Sequence, residues 1–169
     1  MKNLLLFLII VAFVSCQEKN DISSIDPVNW DKREVKNLPV DSLLVSGQTY
    51  LSIYSQIYSQ TEHRIHNLTA TVSLRNTNVN DTIYINKADY YNTNGNLIRS
   101  YFDKTIFIAP METVEIVIDE VDQEGGTGAN FIFDWKVHQK SHEPLFEGVM
   151  ISTYGQQGLS FTTQGKRIK

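Results

Sequence analysis

The chain predicts an all-β fold: an antiparallel two-sheet β-sandwich, immunoglobulin-like in outline, behind an N-terminal signal segment and a flexible tether. Three observations lead there. From Gln48 onward, apolar and polar residues alternate with period two in run after run. Breaks rich in Asn, Gly and Pro separate those runs at short intervals. The i, i+3, i+4, i+7 spacing of an amphipathic helix is not sustained anywhere after the first apolar run. Successive strand side chains point to opposite faces, so each alternating run supplies one wall of a core.

The N-terminus follows different rules. Lys2 supplies positive charge, residues 4–14 are apolar without interruption, and Val14-Ser15-Cys16 ends the run. A spanning helix needs roughly 20 apolar residues, about twice what this run offers. The layout is that of a signal peptide over 1–15. A cysteine directly after the cut makes it a lipoprotein signal, with Cys16 the acylated first residue of the mature chain. Each buried methylene of an acyl chain contributes about 0.8 kcal/mol and a single chain holds marginally, so stable attachment takes more than one. Gln17, rather than Asp, follows the cysteine, which resembles lipoproteins sorted to an outer membrane; either leaflet is compatible.

Residues 16–47 read as a lipid-anchored tether, polar and irregular, with Pro27 and Pro39 and no sustained period. Trp30 stands out within it and is expected to dock on the edge of the domain rather than touch the membrane interface.

The domain, 48–169, is built from alternating runs. Leu68, Ala70, Val72 and Leu74 alternate with polar residues, as do Val114, Ile116 and Ile118. Phe131, Phe133, Trp135 and Val137 repeat the pattern, with Asp134, Lys136 and His138 on the opposite face. Asn92-Thr93-Asn94-Gly95 joins a strand over 83–91 to one over 96–102, because Asn-Gly supplies the positive φ of a tight hairpin. Ala109-Pro110-Met111-Glu112, the glycine-rich 123–128 and the break at 141–144 are further turns. Roughly seven to nine strands over about 120 residues suit two packed antiparallel sheets. The Cys…Trp…Cys pattern of a true immunoglobulin domain is missing.

Composition excludes several classes. Cys16 is the only cysteine, so the domain has no disulfide, thiol nucleophile or Cys-based zinc site. The net charge is −4 with Lys and Arg scattered, so no basic stripe exists to neutralise phosphates and no nucleic-acid partner is expected.

Candidate chemistry is sparse. His63, His66, His138 and His142 could bind zinc if two strand ends met, but nothing in their spacing fixes such a meeting. Asp119, Glu120, Asp122 and Glu124 lack the order of a calcium loop and read as a solvated acidic turn. Gly125, Gly126 and Gly128 lack the G-x-x-x-x-G-K-[ST] pattern and precede a strand, so they serve positive φ and close backbone approach. No G-x-S-x-G elbow occurs. Glu143 and Glu147 are separated by Pro144, and Glu147, in phase with Leu145, Val149 and Ile151, is expected to be partly buried and paired. Tyr50, Tyr54 and Tyr58 are expected on one strand face with Leu51, Ile53 and Ile57 on the other. Tyrosine suits interfaces because a large, fairly rigid ring carries one polar tip.

Several of these stretches together resemble a known family. They are the run from Tyr50 to Tyr58, Ser73-Leu74-Arg75-Asn76-Thr77, and the stretch from Asp89 to Gly95 with Arg99-Ser100-Tyr101. Gly125 to Phe131 with Trp135, and Gln156-Gln157-Gly158-Leu159-Ser160-Phe161, complete the set. They resemble the bacterial family called domain of unknown function 3124, over about 48–165. The resemblance implies a secreted or lipid-anchored envelope protein and brings no assigned activity, cofactor or catalytic residue.

The expectation is a non-catalytic binding module, anchored to the membrane through Cys16 and engaging an envelope protein or other envelope ligand. The surfaces expected to carry this are the Tyr50/Tyr54/Tyr58 face, the loop with Gly125, Gly126, Gly128 and Asn130, and the loop with Gln156, Gln157 and Gly158. No cofactor is expected, and no catalytic or metal-binding residue is assigned. The alternatives are a small metal-dependent or hydrolytic enzyme using Asp134, Glu147 or the histidines, and a structural spacer.

Overall fold

A computed structural model describes residues 28–38, 43–154 and 157–169. The signal segment, Cys16 and Gln156 lie outside the described residues. The described chain is all-β. In order it forms β1 (Leu44–Ile53), β2 (Gln56–Ser59), β3 (Thr61–Asn67), β4 (Thr69–Arg75), β5 (Ile83–Tyr91) and β6 (Leu97–Ser100). It continues with β7 (Ile106–Ile108), β8 (Thr113–Ile118), β9 (Ala129–His138), β10 (Leu145–Tyr154), β11 (Gln157–Gln164) and β12 (Lys166–Arg167).

All pairings are antiparallel. One six-stranded sheet runs β12-β1-β9-β5-β6, with β7 also on β5; a four-stranded sheet runs β11-β10-β4-β8; β2 and β3 form a two-stranded ribbon.

The predicted alternation sets the core. Phe131, Phe133, Trp135 and Val137 on β9 are buried, and so are Ala70, Val72 and Leu74 on β4 with Val114, Ile116 and Ile118 on β8. A ladder of rings links the two large sheets: Tyr90 stacks on Phe131 at 4.8 Å, Phe131 on Phe133 at 5.3 Å, and Phe133 on Phe146 of β10 at 4.2 Å. Fully burying one such side chain contributes about 1.5–3 kcal/mol.

Several details differ from expectation. The domain begins at β1 with Leu44 rather than at 48. Gly47 is buried against the Trp135 indole, where a Cβ would overlap the ring. The segment assigned to the tether is also docked over part of its length. Trp30 lies 5.0 Å from Phe102, the Val35 N–H donates to Thr105 O at 2.9 Å, and Arg33 pairs with Glu112 at 2.7 Å. Trp30 therefore does sit on the domain edge. On β10, Phe146, Gly148, Met150 and Ser152 face the core, which puts Glu147 outward beside Leu145, Val149 and Ile151. Phe146 decides that phase by stacking on Phe133. The strands outnumber the expected set because bends cut long runs. At Gly165 the chain leaves β11 in one sheet and enters β12 in the other, its N–H bonded to Phe146 O at 2.8 Å.

Candidate functional site

The run from Tyr50 to Tyr58 is not one strand. β1 ends at Ile53 and β2 begins at Gln56. Between them Ser55 is fully buried, its carbonyl accepting the Leu68 N–H at 2.9 Å. The chain leaves the six-stranded sheet at this pinch, so the expected three-tyrosine face does not form. Tyr50 stays on the outer face of the six-stranded sheet. Tyr54 turns edge-on to Phe161 at 5.7 Å. Tyr58 moves onto the ribbon, directly opposite Ile65.

That ribbon carries an exposed apolar pair. With only two strands it cannot bury both faces, and Tyr58 is 59% and Ile65 45% exposed. A bulge follows Tyr58, where Gln60 takes a positive φ of 65°. Facing the ribbon is the start of β11, where Leu159 is 40% exposed. Together they enclose a groove of about 290 Å³ lined by Ile57, Tyr58, His66, Gln157, Gly158 and Leu159, among others. A Cβ at Gly158 would meet nothing within 4 Å. Two surfaces expected separately, Tyr58 and the Gln157–Gly158 turn, thus meet in one groove.

The glycine loop does different work. Gly126 takes φ 72°, and a Cβ at Gly125 would overlap the Tyr90 hydroxyl. Thr93 Oγ1 donates to Gly125 O at 3.0 Å and accepts the Gly128 N–H at 2.9 Å. The Gly126 N–H is bonded to Gln123 O at 3.2 Å. The Gly126 and Gly128 amides are thus already used within the fold. Ser55 Oγ donates to Gly126 O at 3.2 Å, so the loop buttresses the pinch from which the ribbon springs.

Asp122 corrects the solvated-turn reading. Its side chain is 1% exposed and accepts two Arg99 N–H bonds, both at 3.1 Å. An acid this buried needs a paired cation, and Arg99 of β6 supplies it.

The outer face of the six-stranded sheet carries a polar cluster that sequence reasoning missed. Lys166, Tyr50, Ile132, Asp89 and Ser100 stand in line across the sheet. Asp89, 3% exposed, accepts from Ser100 Oγ at 2.7 Å and Tyr91 Oη at 3.2 Å and pairs with Lys87 at 2.6 Å. Its hydrogen bond holds the Lys87 ammonium above its ordinary pKa, while burial and then the Asp89 charge raise that of the Tyr91 hydroxyl. Asn130 joins this face between Ser52 and Tyr91. The signal was the spacing Lys87-x-Asp89-x-Tyr91 inside the strand expected over 83–91, which puts all three on one face.

The residues considered for catalysis are engaged elsewhere. Gln48 donates to Asp134 at 2.7 Å, Arg75 to Glu147 at 2.7 Å, and Arg167 pairs with Glu143. His63 and His66 are on β3, His138 ends β9, and the His142 N–H donates to Asn78 at 2.7 Å. Among the described residues no group of three or more His, Cys, Asp or Glu is placed to hold a metal ion.

An all-β domain with a two-stranded ribbon that exposes the Tyr58–Ile65 pair is thus what the geometry defines. The chain belongs to the family described as "Protein of unknown function (DUF3124)", whose model matches residues 46–168. No curated protein matches it. A similar solved structure is the crystal structure of Thermotoga maritima 1070, at TM-score 0.45 and 8% identity, covering 71% of this chain and 92% of that one.

Proposed function

We propose that the protein is a lipid-anchored cell-envelope component, held at the outer membrane through Cys16, that works as a non-catalytic interaction module. Its two large sheets are read as an immunoglobulin-like sandwich, with recognition placed at one end. One observation carries the binding reading: exposed Tyr58, paired cross-strand with exposed Ile65 on a two-stranded ribbon, lines a groove together with exposed Leu159. Exposed apolar side chains gathered around a concavity mark interaction sites. Tyrosine is enriched where partners dock because it loses little conformational freedom on binding.

A photo-crosslinking residue at position 58 of the full-length chain, in its own membrane, tests the site. The same residue at Val79, which is 72% exposed, serves as control. The expected result is a discrete protein adduct from position 58, absent from 79 and lost with Ile65→Ala. Equal adducts from both positions, or none from 58, overturn the groove as the site. Anchoring is checked separately: Cys16→Ser is expected to move the protein out of the membrane fraction, and retention there overturns the lipoprotein reading.

A further inference from the structure

An end strand of a sheet presents unpaired N–H and C=O groups in extended conformation, and what satisfies them is another extended strand. Folds blunt such edges by keeping them short or placing charge on them. Most edges here are blunted. β12 has two residues, both basic, β7 has three, and β6 has four and carries Arg99. β8 carries Glu115, and β3 of the ribbon carries Glu62, His63, Arg64 and His66.

Among the described edge strands of more than four residues, β11 alone carries no charge. It ends the four-stranded sheet, is eight residues long, and its sequence QGLSFTTQ has no charge and no proline. Gln157, Gly158, Leu159, Ser160, Thr162 and Gln164 are all exposed.

We infer that β11 pairs antiparallel with β11 of a second copy, joining the two four-stranded sheets into one continuous sheet across a two-fold axis. An uncharged strand meets its own copy without like-charge repulsion, the usual obstacle to self-pairing. Directly opposed residues must share a face, which restricts the register. Leu159 lies opposite Ser152, and Phe161 opposite the fully buried Met150, so both are on the core side. Ser160 lies opposite the half-exposed Ile151, on the outer side. With Ser160 on the axis, each exposed Leu159 faces Phe161 of the other copy, so two apolar pairs form that no isolated copy has.

The register gives a specific test. Opposed Cα atoms in such a pair are about 4.5–5.5 Å apart, within the span of a disulfide. Ser160→Cys in the full-length protein in mild detergent is therefore expected to give a covalent homodimer on mild oxidation. Thr162→Cys, Glu115→Cys and the unmodified chain, which carries Cys16, are the controls and are expected to stay uncrosslinked. Ser160→Lys sets two ammonium groups face to face and is expected to weaken dimerisation by about fivefold or more. It lies at an exposed position, so its folding is not at issue. A Ser160→Cys protein no more crosslinked than its controls overturns the inference, as does a Ser160→Lys dimer of undiminished affinity. A crosslink to a different protein also overturns it, in favour of a heterologous strand. Dimerisation that survives Tyr58→Ala keeps this result separate from the fate of the groove.

Discussion

The ion pair Arg99–Asp122 ties the glycine loop to β6, and through that loop it supports the ribbon. Asp122→Asn keeps the shape of the side chain and removes its charge. Two charge-assisted bonds of 3.1 Å become neutral or are lost, and the guanidinium is left against an amide. Removing one partner of a buried pair costs about 3–5 kcal/mol. Arg99, however, is 17% exposed and has the Glu124 carboxylate 3.6 Å away, so its charge is not stranded. The expected loss is therefore about 2–3 kcal/mol, a fall in Tm of roughly 5–10 °C for a chain of this size. Thermal unfolding followed by circular dichroism measures it. Hydrogen exchange adds a local readout: the Leu68 N–H bonded to Ser55 is expected to lose protection, since the loop that holds Ser55 loosens. The double variant Arg99→Met/Asp122→Leu, which leaves no charge behind, is expected to be more stable than Asp122→Asn. A shift below about 0.5 kcal/mol for Asp122→Asn, the range of ordinary surface changes, would refute the reasoning.

Other positions give independent checks. Gly47→Ala drives a methyl into the Trp135 ring, which cannot swing away freely because Arg167 stacks over it at 5.2 Å; a loss of about 2–3 kcal/mol is expected in chemical denaturation. Asn76 is 3% exposed and donates to the carbonyls of Asp81, Ile108 and Ala109 at 2.7–3.0 Å, so Asn76→Ala is expected to cost about 2–4 kcal/mol in the same assay. The bond from Arg33, with help from the Ala109 N–H, holds the Glu112 carboxyl below its ordinary value of 4.5. A depressed folded pKa stabilises above the unfolded value and is lost as pH falls through the folded one. Protection of the Val35 N–H, relative to its intrinsic exchange rate at each pH, is therefore expected to fall on acidification below that range, and Glu112→Gln is expected to lower it already at neutral pH.

The sequence carried most of the framework, and its failures have physical causes. β4, β8 and β9 are legible because their inner positions are apolar and their outer ones polar. The hairpin at Asn92–Gly95 is legible because Gly95 takes φ 78°, a conformation the Asn-Gly pair announces. The start of β1 was hidden because its inner residues, Gly47 and Thr49, are not hydrophobic. Trp135 fills the space over Gly47, and its indole N–H donates to Thr49 Oγ1 at 2.9 Å, so one large ring on β9 replaces several side chains on β1. The break after Ile53 was hidden for a different reason. Period two continues through Tyr54 and Tyr58 with no glycine or proline to mark a bend, and the group that supports the bend, Gly126 O, lies 71 residues downstream. Long-range buttressing leaves no local mark. The core phase of β10 was ambiguous because both its faces carry apolar residues, and only the stacking of Phe146 on Phe133 chooses between them.

Leu159 belongs to both proposed surfaces, lining the groove and lying on the edge strand, and this makes the two separable by experiment. Its exposed side chain sits on the core side of β11, where the ribbon approaches from one direction and a second copy from the other. Removing it takes apolar area from both contacts at about 25 cal/mol per Å² buried. Leu159→Ala is therefore expected to weaken both the position-58 adduct and the dimer. Ile65→Ala removes area from the ribbon alone, and Ser160→Lys disturbs the edge alone. If Ile65→Ala and Ser160→Lys instead each abolish both signals, one continuous interface replaces two, and the ribbon then acts as part of the strand-pairing surface.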